Sequence, residues 1–283
     1  MNTDTFFTQG SSHRICQDYA AHGPNYVVLS DGCSSATDSD FGARLLTRAA
    51  ISAIRDYKIF DAKTFYNTIL TTAAIYCDAL KLSSDALFAT LLTARIDPTT
   101  PNGENIRVYV SGDGVVAAKR RDGKINVYKI SFPGSAPLYL RYFLKKEDWD
   151  SFHAQYNGQM SEESYILQPD GEITDYQKVT SEWPHADQLN IYPSYSFNRD
   201  DFECIAVFSD GVASFQRFVT AGAGRSTELV PEEEIIKEIL AFRGYQGEFV
   251  QRRCQMAFNK FEKAGWRNFD DFSVGAIYIG EKI

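Results

Sequence analysis

Positive charge is scarce in this chain. Twenty-nine Lys and Arg face 37 Asp and Glu, giving a formal net charge of −8 and a pI near 5.1. A nucleic-acid partner needs clustered cations against its phosphates, so the balance argues against one. The one short basic run, Lys119-Arg120-Arg121, leads into Asp122-Gly123 and is expected to be a solvated hairpin tip. Cysteines are few, and Cys16, Cys33, Cys77, Cys204 and Cys254 contain no C-x-x-C pair. That excludes a zinc ribbon and gives no sign of a disulfide framework; reduced thiols are the simplest expectation. Apolar runs long enough to span a bilayer are missing, and the first residues have neither a basic nor an apolar signal region. The expectation is a cytoplasmic protein with no membrane partner.

Also missing is the regular strand–helix alternation of a doubly wound parallel sheet. Short apolar runs come in hairpin-like groups instead. Strands are expected at 4–9, 26–30, 88–94, 106–110, 115–119, 125–130, 204–208 and 273–279. Helical periodicity starts at Asp38, with Phe41, Leu45, Ala49 and Ala53 on one face and Asp38 or Ser39 as cap. A second helix starts at Asp61 and carries Phe65, Ile69, Ala73, Cys77 and Leu80 on one side. Two more follow, one opening at Pro231 and one spanning about 247–263. This pattern predicts an α+β fold: two antiparallel sheets packed face to face, flanked by pairs of helices. With 283 residues, 44% of them hydrophobic, the chain has material for one large core. One domain is expected over 1–283, with a variable flap or insertion at about 131–201, where periodicity is weak. The Trp149, Phe152, Tyr156 set there reads as a helix face.

Asp-Gly pairs are ordinarily turns, and Asp122-Gly123 and Asp170-Gly171 fit that reading. Three others differ. Asp31 follows Tyr26-Val27-Val28-Leu29-Ser30, Asp113 follows Val108-Tyr109-Val110-Ser111-Gly112, and Asp210 follows Cys204-Ile205-Ala206-Val207-Phe208-Ser209. Each places a carboxylate at the end of a buried-type strand, backed by a glycine or flanked by two. A fourth acidic site, Asp270-Asp271, precedes the last strand. Converging carboxylates repel one another and are costly to desolvate. No Lys or Arg lies beside these motifs, and all-oxygen ligands point to a hard ion, Mn²⁺ or Mg²⁺. On spacing alone, metal ligands and ordinary turn aspartates remain alternatives. His22, His153 and His185 show no ligand spacing.

The ordered set is more specific than any member of it. It runs Ser12-His13-Arg14-Ile15-Cys16-Gln17-Asp18, Leu29-Ser30-Asp31-Gly32, Gly112-Asp113-Gly114, Phe208-Ser209-Asp210-Gly211 and Asp270-Asp271-Phe272-Ser273. In this order, over nearly the whole chain, it resembles the metal-dependent protein phosphatase 2C family of serine/threonine phosphatases, as a divergent bacterial-type member. The resemblance implies that Asp31 bridges two metals and that the Gly32 carbonyl adds a ligand. Asp210 and Asp270 would bind from the other side, and Asp18 would hold metal-bound waters. Asp113 matches a position serving a third, weaker ion in some members. The implied activity is hydrolysis of phosphoserine and phosphothreonine on a protein by a metal-bridging hydroxide. The implied partner is the phosphorylated target of a cognate kinase. A catalytically weak relative that binds a phosphoprotein or a kinase is the alternative.

Three departures bear on that carry-over. The family's phosphate-binding Arg lies five residues before the Asp matching Asp18; here His13 occupies that place and Arg14 is one residue off. A one-residue shift in a strand turns a side chain to the other face, so the phosphate contact stays open between His13 and Arg14. Cys33 stands where members often carry a Met or a His that can act as general acid. It reads as a small packing residue or a redox-sensitive thiol, and leaves water or His13 to protonate the leaving group. Gly114-Val115 replaces a Ser-Arg pair, and Ser214 stands where some members have another acid.

Overall fold

A computed structural model describes residues 1–56, 61–97, 99–100, 105–156, 159–182, 192–221 and 224–280. In chain order come β1 (Asn2–Thr8), β2 (Asp18–Gly23), β3 (Tyr26–Asp31), α1 (Ser39–Asp56) and α2 (Ala62–Leu80). Next are β4 (Leu91–Ile96), β5 (Asn105–Ser111), β6 (Gly114–Arg120), β7 (Ile125–Ser131), α3 (Lys146–Tyr156), β8 (Gln159–Leu167), β9 (Ile173–Glu182) and β10 (Ser194–Asn198). The chain continues through β11 (Phe202–Phe208), β12 (Phe215–Ala221), β13 (Gly224–Leu229), α4 (Glu232–Ile239), α5 (Phe249–Lys263), β14 (Trp266–Asn268) and β15 (Phe272–Tyr278).

Two antiparallel sheets dominate, with strand orders β1-β15-β11-β6-β7-β8-β9 and β10-β5-β4-β3-β2. The expected fold class is therefore observed: mixed α+β, two main antiparallel sheets and flanking helices. The period-2 alternation of β6, β11 and β15 sorts side chains into two layers. Val116, Ala118, Ile205, Val207 and Ile277 face the second sheet, whose Val27, Leu29, Leu92 and Val108 join the same core with α1 and α2. Val115, Ala117, Cys204, Ala206, Phe208 and Val274 face the other way and pack under α4 and α5. Central strands buried on both faces explain why they read as unbroken apolar runs. Asp61 caps α2 as expected, its carboxylate accepting the Thr64 N–H at 2.9 Å.

Several sequence readings need correction. The α1 stripe is rotated: Ala43, Leu46, Ala49, Ala50 and Ala53 are buried, Leu45 is only partly so, and Phe41 is exposed. Leu80 likewise ends α2 exposed. Asp38 has φ +58°, outside ordinary N-cap geometry. The 131–201 stretch holds much regular structure: β8 and β9 extend the larger sheet, β10 extends the smaller one, and α3 buries Trp149 and Phe152. Its apolar signal is weak because β9 is almost wholly exposed and β8 alternates with polar residues. Part of that stretch, with His185, lies outside the described residues. A three-stranded sheet, β13-β12-β14, also went unread because its strands are short or polar.

The basic run is not a bare solvated tip either. Lys119 reaches Glu203 at 3.3 Å and the Leu240 carbonyl at 3.2 Å. Arg121 donates to the carbonyls of Arg199, Asp200 and Gly280 at 2.9–3.1 Å. Its fork closes the β6–β7 hairpin against the β10–β11 turn and the chain after β15. Arg121→Ala is expected to cost about 1–2 kcal/mol, since three exposed charge-assisted bonds each give only part of their usual worth. A urea midpoint unchanged from wild type would show the fork to be ornamental.

Candidate active site

Five acids sit at strand ends or in the turns next to them. Asp18 opens β2 and Asp31 closes β3, and these two residues are register partners across the antiparallel pair. Asp113 lies in the tight turn that carries the chain from β5 in the smaller sheet to β6 in the larger. Asp210 follows β11 with Ser209 between, and Asp270 precedes β15; the two strands are paired, and Ser209 N–H donates to the Ser273 carbonyl at 3.0 Å. Close backbone approach fixes this corner. A Cβ on Gly211 would lie 1.8 Å from the Asp271 carbonyl oxygen, and one on Gly32 would lie 2.7 Å from the Ser39 carbonyl oxygen. Glycine is therefore required after Asp210 by packing against the β15 loop, and after Asp31 by the start of α1.

The electrostatics show that these carboxylates share one environment. Burial pushes the Asp31 pKa well above the ordinary carboxylate range, and the charges of Asp18, Asp210 and Asp113 push the same way. Burial raises Asp113 likewise, with Asp210 and Asp270 adding to it. Asp210 is raised by burial and then by Asp270, with Asp31, the Gly211 N–H and Lys129 opposing. Its side chain is nevertheless accessible to water. The two facts fit a group with the other acids on one side and water on the other. Asp18 is fully buried, and burial lifts its pKa to about 7 against the pull of Asp31, Ser273 and Ser209. Without a cation, burial and mutual repulsion disfavour charge on Asp18 and Asp31 together.

His13 and Arg14 border the same groove but differ in what they touch. His13 Nε2 lies 3.3 Å from Asp270 Oδ1 and its Nδ1 lies 3.0 Å from Asp271 Oδ2. Burial alone would lower the His13 pKa, but Asp271, Asp270 and Asp18 outweigh it and raise the value. Arg14 is exposed and lines a groove with Ile15, Gln17, Ser34 and Asp38. His22 stays a bystander, its Nδ1 3.1 Å from Thr5 Oγ1. Cys33 is partly exposed, with Sγ 3.1 Å from Ser35 Oγ.

Three further residues shape this corner, of which Tyr139 carried no sequence signal. Asp271 is buried and accepts the backbone N–H groups of Gly10 and Gln17 at 2.7 and 2.6 Å, fastening the 10–17 loop to β15. Ser214 accepts the Asp270 N–H at 3.2 Å and donates to the Gly211 carbonyl at 2.8 Å, coupling the two acidic loops. Tyr139 is buried; burial raises its pKa, and the charges of Cys33, Asp113 and Asp31 push it further. An Asp-Asp pair hints at the first, but only tertiary structure shows which Asp turns inward.

The donor set suits a hard divalent ion. The side-chain donors are carboxylates that raise one another's pKa, and both Asp18 oxygens are buried without a hydrogen-bond partner. As the side chains stand, no three His, Cys, Asp or Glu among the described residues converge tightly enough to hold an ion. Such a geometry still fits Mg²⁺-type binding, in which one or two carboxylates hold an ion that keeps several of its waters.

The protein phosphatase 2C family model matches residues 9–242. The chain belongs to that family. Asp31, Asp113 and Asp210 lie inside the matched stretch and Asp270 outside it, so the placement of Asp270 rests on the fold. No curated protein sequence matches the chain significantly. Solved structures do. The S. agalactiae serine/threonine phosphatase has 14% identity and a TM-score of 0.53 over 98% of this chain and 99% of that one. The Ser-Thr phosphatase MsPP from Mycobacterium smegmatis, solved with cacodylate, has 13% identity and a TM-score of 0.52 over 99% of both chains. A C. elegans sex determining protein has 10% identity and a TM-score of 0.52 over 99% of this chain and 65% of that one. At such identities the likeness establishes the fold of the phosphatase 2C chain, and its chemistry has to be argued from its own residues.

Proposed function

We propose that this phosphatase 2C chain hydrolyses phosphoserine and phosphothreonine on proteins with Mn²⁺ or Mg²⁺ bound. Asp31, the Gly32 carbonyl, Asp210 and Asp270 would hold two ions, and Asp113 would serve a third, weaker one. Asp18 would support Asp31 from behind. One observation carries the reading: acids from the loops of both sheets press on one another, while Lys129 opposes this at Asp210 less than burial and Asp270 raise it. Crowding of that kind costs free energy that divalent cations recover. When bound, the ions would supply Lewis acidity toward a phosphoryl group and a water of lowered pKa. Asp210, open to solvent, would face the entering phosphoester, and the buried Asp18 would hold Asp31 in place.

On this reading residues 1–283 are one catalytic domain with an insertion at about 131–201. The substrate is the phosphorylated target of a cognate serine/threonine kinase in the cytoplasm. One observation favours the alternative, a weak relative that binds a phosphoprotein or kinase: the exposed Arg14 lines a side groove beside Ser34 and Asp38.

The deciding experiment is hydrolysis of p-nitrophenyl phosphate and of phosphoserine and phosphothreonine peptides, with Mn²⁺ and with chelator. Turnover is expected only with metal. Protein that binds Mn²⁺ yet cleaves none of these substrates would replace the enzyme reading with the binding one.

A further inference from the structure

His13 stands where the loop before β2 meets the loop before β15. The two loops are in backbone contact: a Cβ on Gly10 would lie 2.2 Å from the Asp270 carbonyl carbon. One imidazole edge faces Asp271 at 3.0 Å, and that carboxylate is itself buried and pinned by two backbone N–H groups. The other edge faces Asp270 Oδ1 at 3.3 Å. The same Oδ1 accepts the Asp271 N–H at 2.8 Å. Among the described residues, these contacts on the Asp270 carboxylate fall on Oδ1, which leaves Oδ2 as the oxygen to offer. Both ring nitrogens face carboxylates at ion-pair distance, so a phosphate bound there would have to sit against Asp270 and Asp271.

We propose that His13 is a positioning residue for Asp270 rather than a phosphate ligand. Held by the anchored Asp271, the imidazole fixes one oxygen of Asp270 so that the other is presented to a divalent cation. This rests on the metal-dependent reading above. It assigns the residue at the family's phosphate-arginine position a different task in this chain. The physical basis is general: groups that orient a ligand carboxylate or imidazole set metal affinity nearly as strongly as the ligand itself.

The test is calorimetric titration of Mn²⁺ into the metal-free full chain, wild type against His13→Ala and His13→Gln. The KM for p-nitrophenyl phosphate is measured at saturating Mn²⁺. His13→Ala is expected to weaken Mn²⁺ binding by about 10- to 100-fold and to leave KM within about twofold. His13→Gln, whose amide nitrogen can take the place of Nε2, should recover most of the affinity. Unchanged Mn²⁺ affinity with KM raised about tenfold would make His13 a phosphate ligand and overturn the proposal. Lost thermal stability with unchanged Mn²⁺ affinity would overturn it in favour of a purely structural contact. If His13→Ala does not fold, His13→Asn, which keeps a donor toward Asp271 but falls short of Asp270, carries the same comparison. Wild-type protein that binds no Mn²⁺ would sink the metal-dependent reading and this proposal together. Wild-type binding with equal binding by the variants would sink the proposal alone.

Discussion

Asp210→Asn is expected to lower Mn²⁺-dependent phosphoester hydrolysis by about a thousandfold or more, while the metal-free fold stays as stable as wild type or becomes more so. The first half follows from the worth of charge stabilisation at a metal site, several kcal/mol, at about 1.4 kcal/mol per factor of ten. The second half follows from the environment of the side chain. Burial and Asp270 raise the Asp210 pKa, and Asp210 in turn raises those of Asp31 and Asp113. An amide removes one charge from that crowd and keeps the shape. The Gly211–Asp271 backbone contact does not depend on the carboxylate, so the corner should hold. A single pair of measurements checks both halves: turnover at saturating Mn²⁺, and the thermal midpoint in chelator. Turnover within a few-fold of wild type would reduce Asp210 to a turn residue. A large fall in the metal-free midpoint would mean that the carboxylate is structural.

Asp31 and Asp210 were legible in sequence because each ends a strand buried on both faces. Such a strand reads as an unbroken apolar run, which made the carboxylate after it stand out, although spacing alone left an ordinary turn aspartate open. Asp113 was legible for the same reason, at the turn where the chain crosses between sheets. β9 was not legible, because an edge strand with almost every residue exposed carries no apolar alternation. β12 and β13 were missed on similar grounds, since their Gln216, Arg217, Ser226 and Glu228 look like loop. The α1 stripe was displaced because Phe41 suggested a face that Ala43, Leu46 and Ala50 occupy in its stead. Small alanines give a weak signal, yet they are what lets a helix lie close to a sheet. Asp270 and Asp271 are chemically identical in sequence. Which of them turns inward to hold Gly10 and Gln17, and which stays open to solvent, is decided by the contact of the loop before β15 with the 10–17 loop. The partners of His13 are likewise set by a contact between residues more than 250 positions apart, which no local pattern encodes.

Metal-free protein is expected to lose stability as pH rises from about 4 to about 7, by a few kcal/mol at most, and to regain it when Mn²⁺ is added. Asp18 sets the sign. Its carboxyl titrates near 3.8 in the unfolded chain and near 7 in the fold, where burial disfavours the charge. Below 3.8 the group is protonated in both states, and the neutral acid is fully accommodated. Between the two values the unfolded chain releases a proton that the folded chain keeps, so unfolding gains on folding with each step in pH. Above 7 the fold must carry the buried charge, and the loss is complete. Asp31, Asp113 and Asp210 are raised as well and act in the same direction. Divalent metal favours the ionised carboxylates and should reverse the trend, because ligands must be deprotonated to bind. Asp18→Asn removes one titrating group and should flatten the metal-free profile. The measurement is the urea midpoint in chelator at a series of pH values, repeated with Mn²⁺. Metal-free stability that rises across this window would mean that the carboxylates are separately solvated and do not form one site.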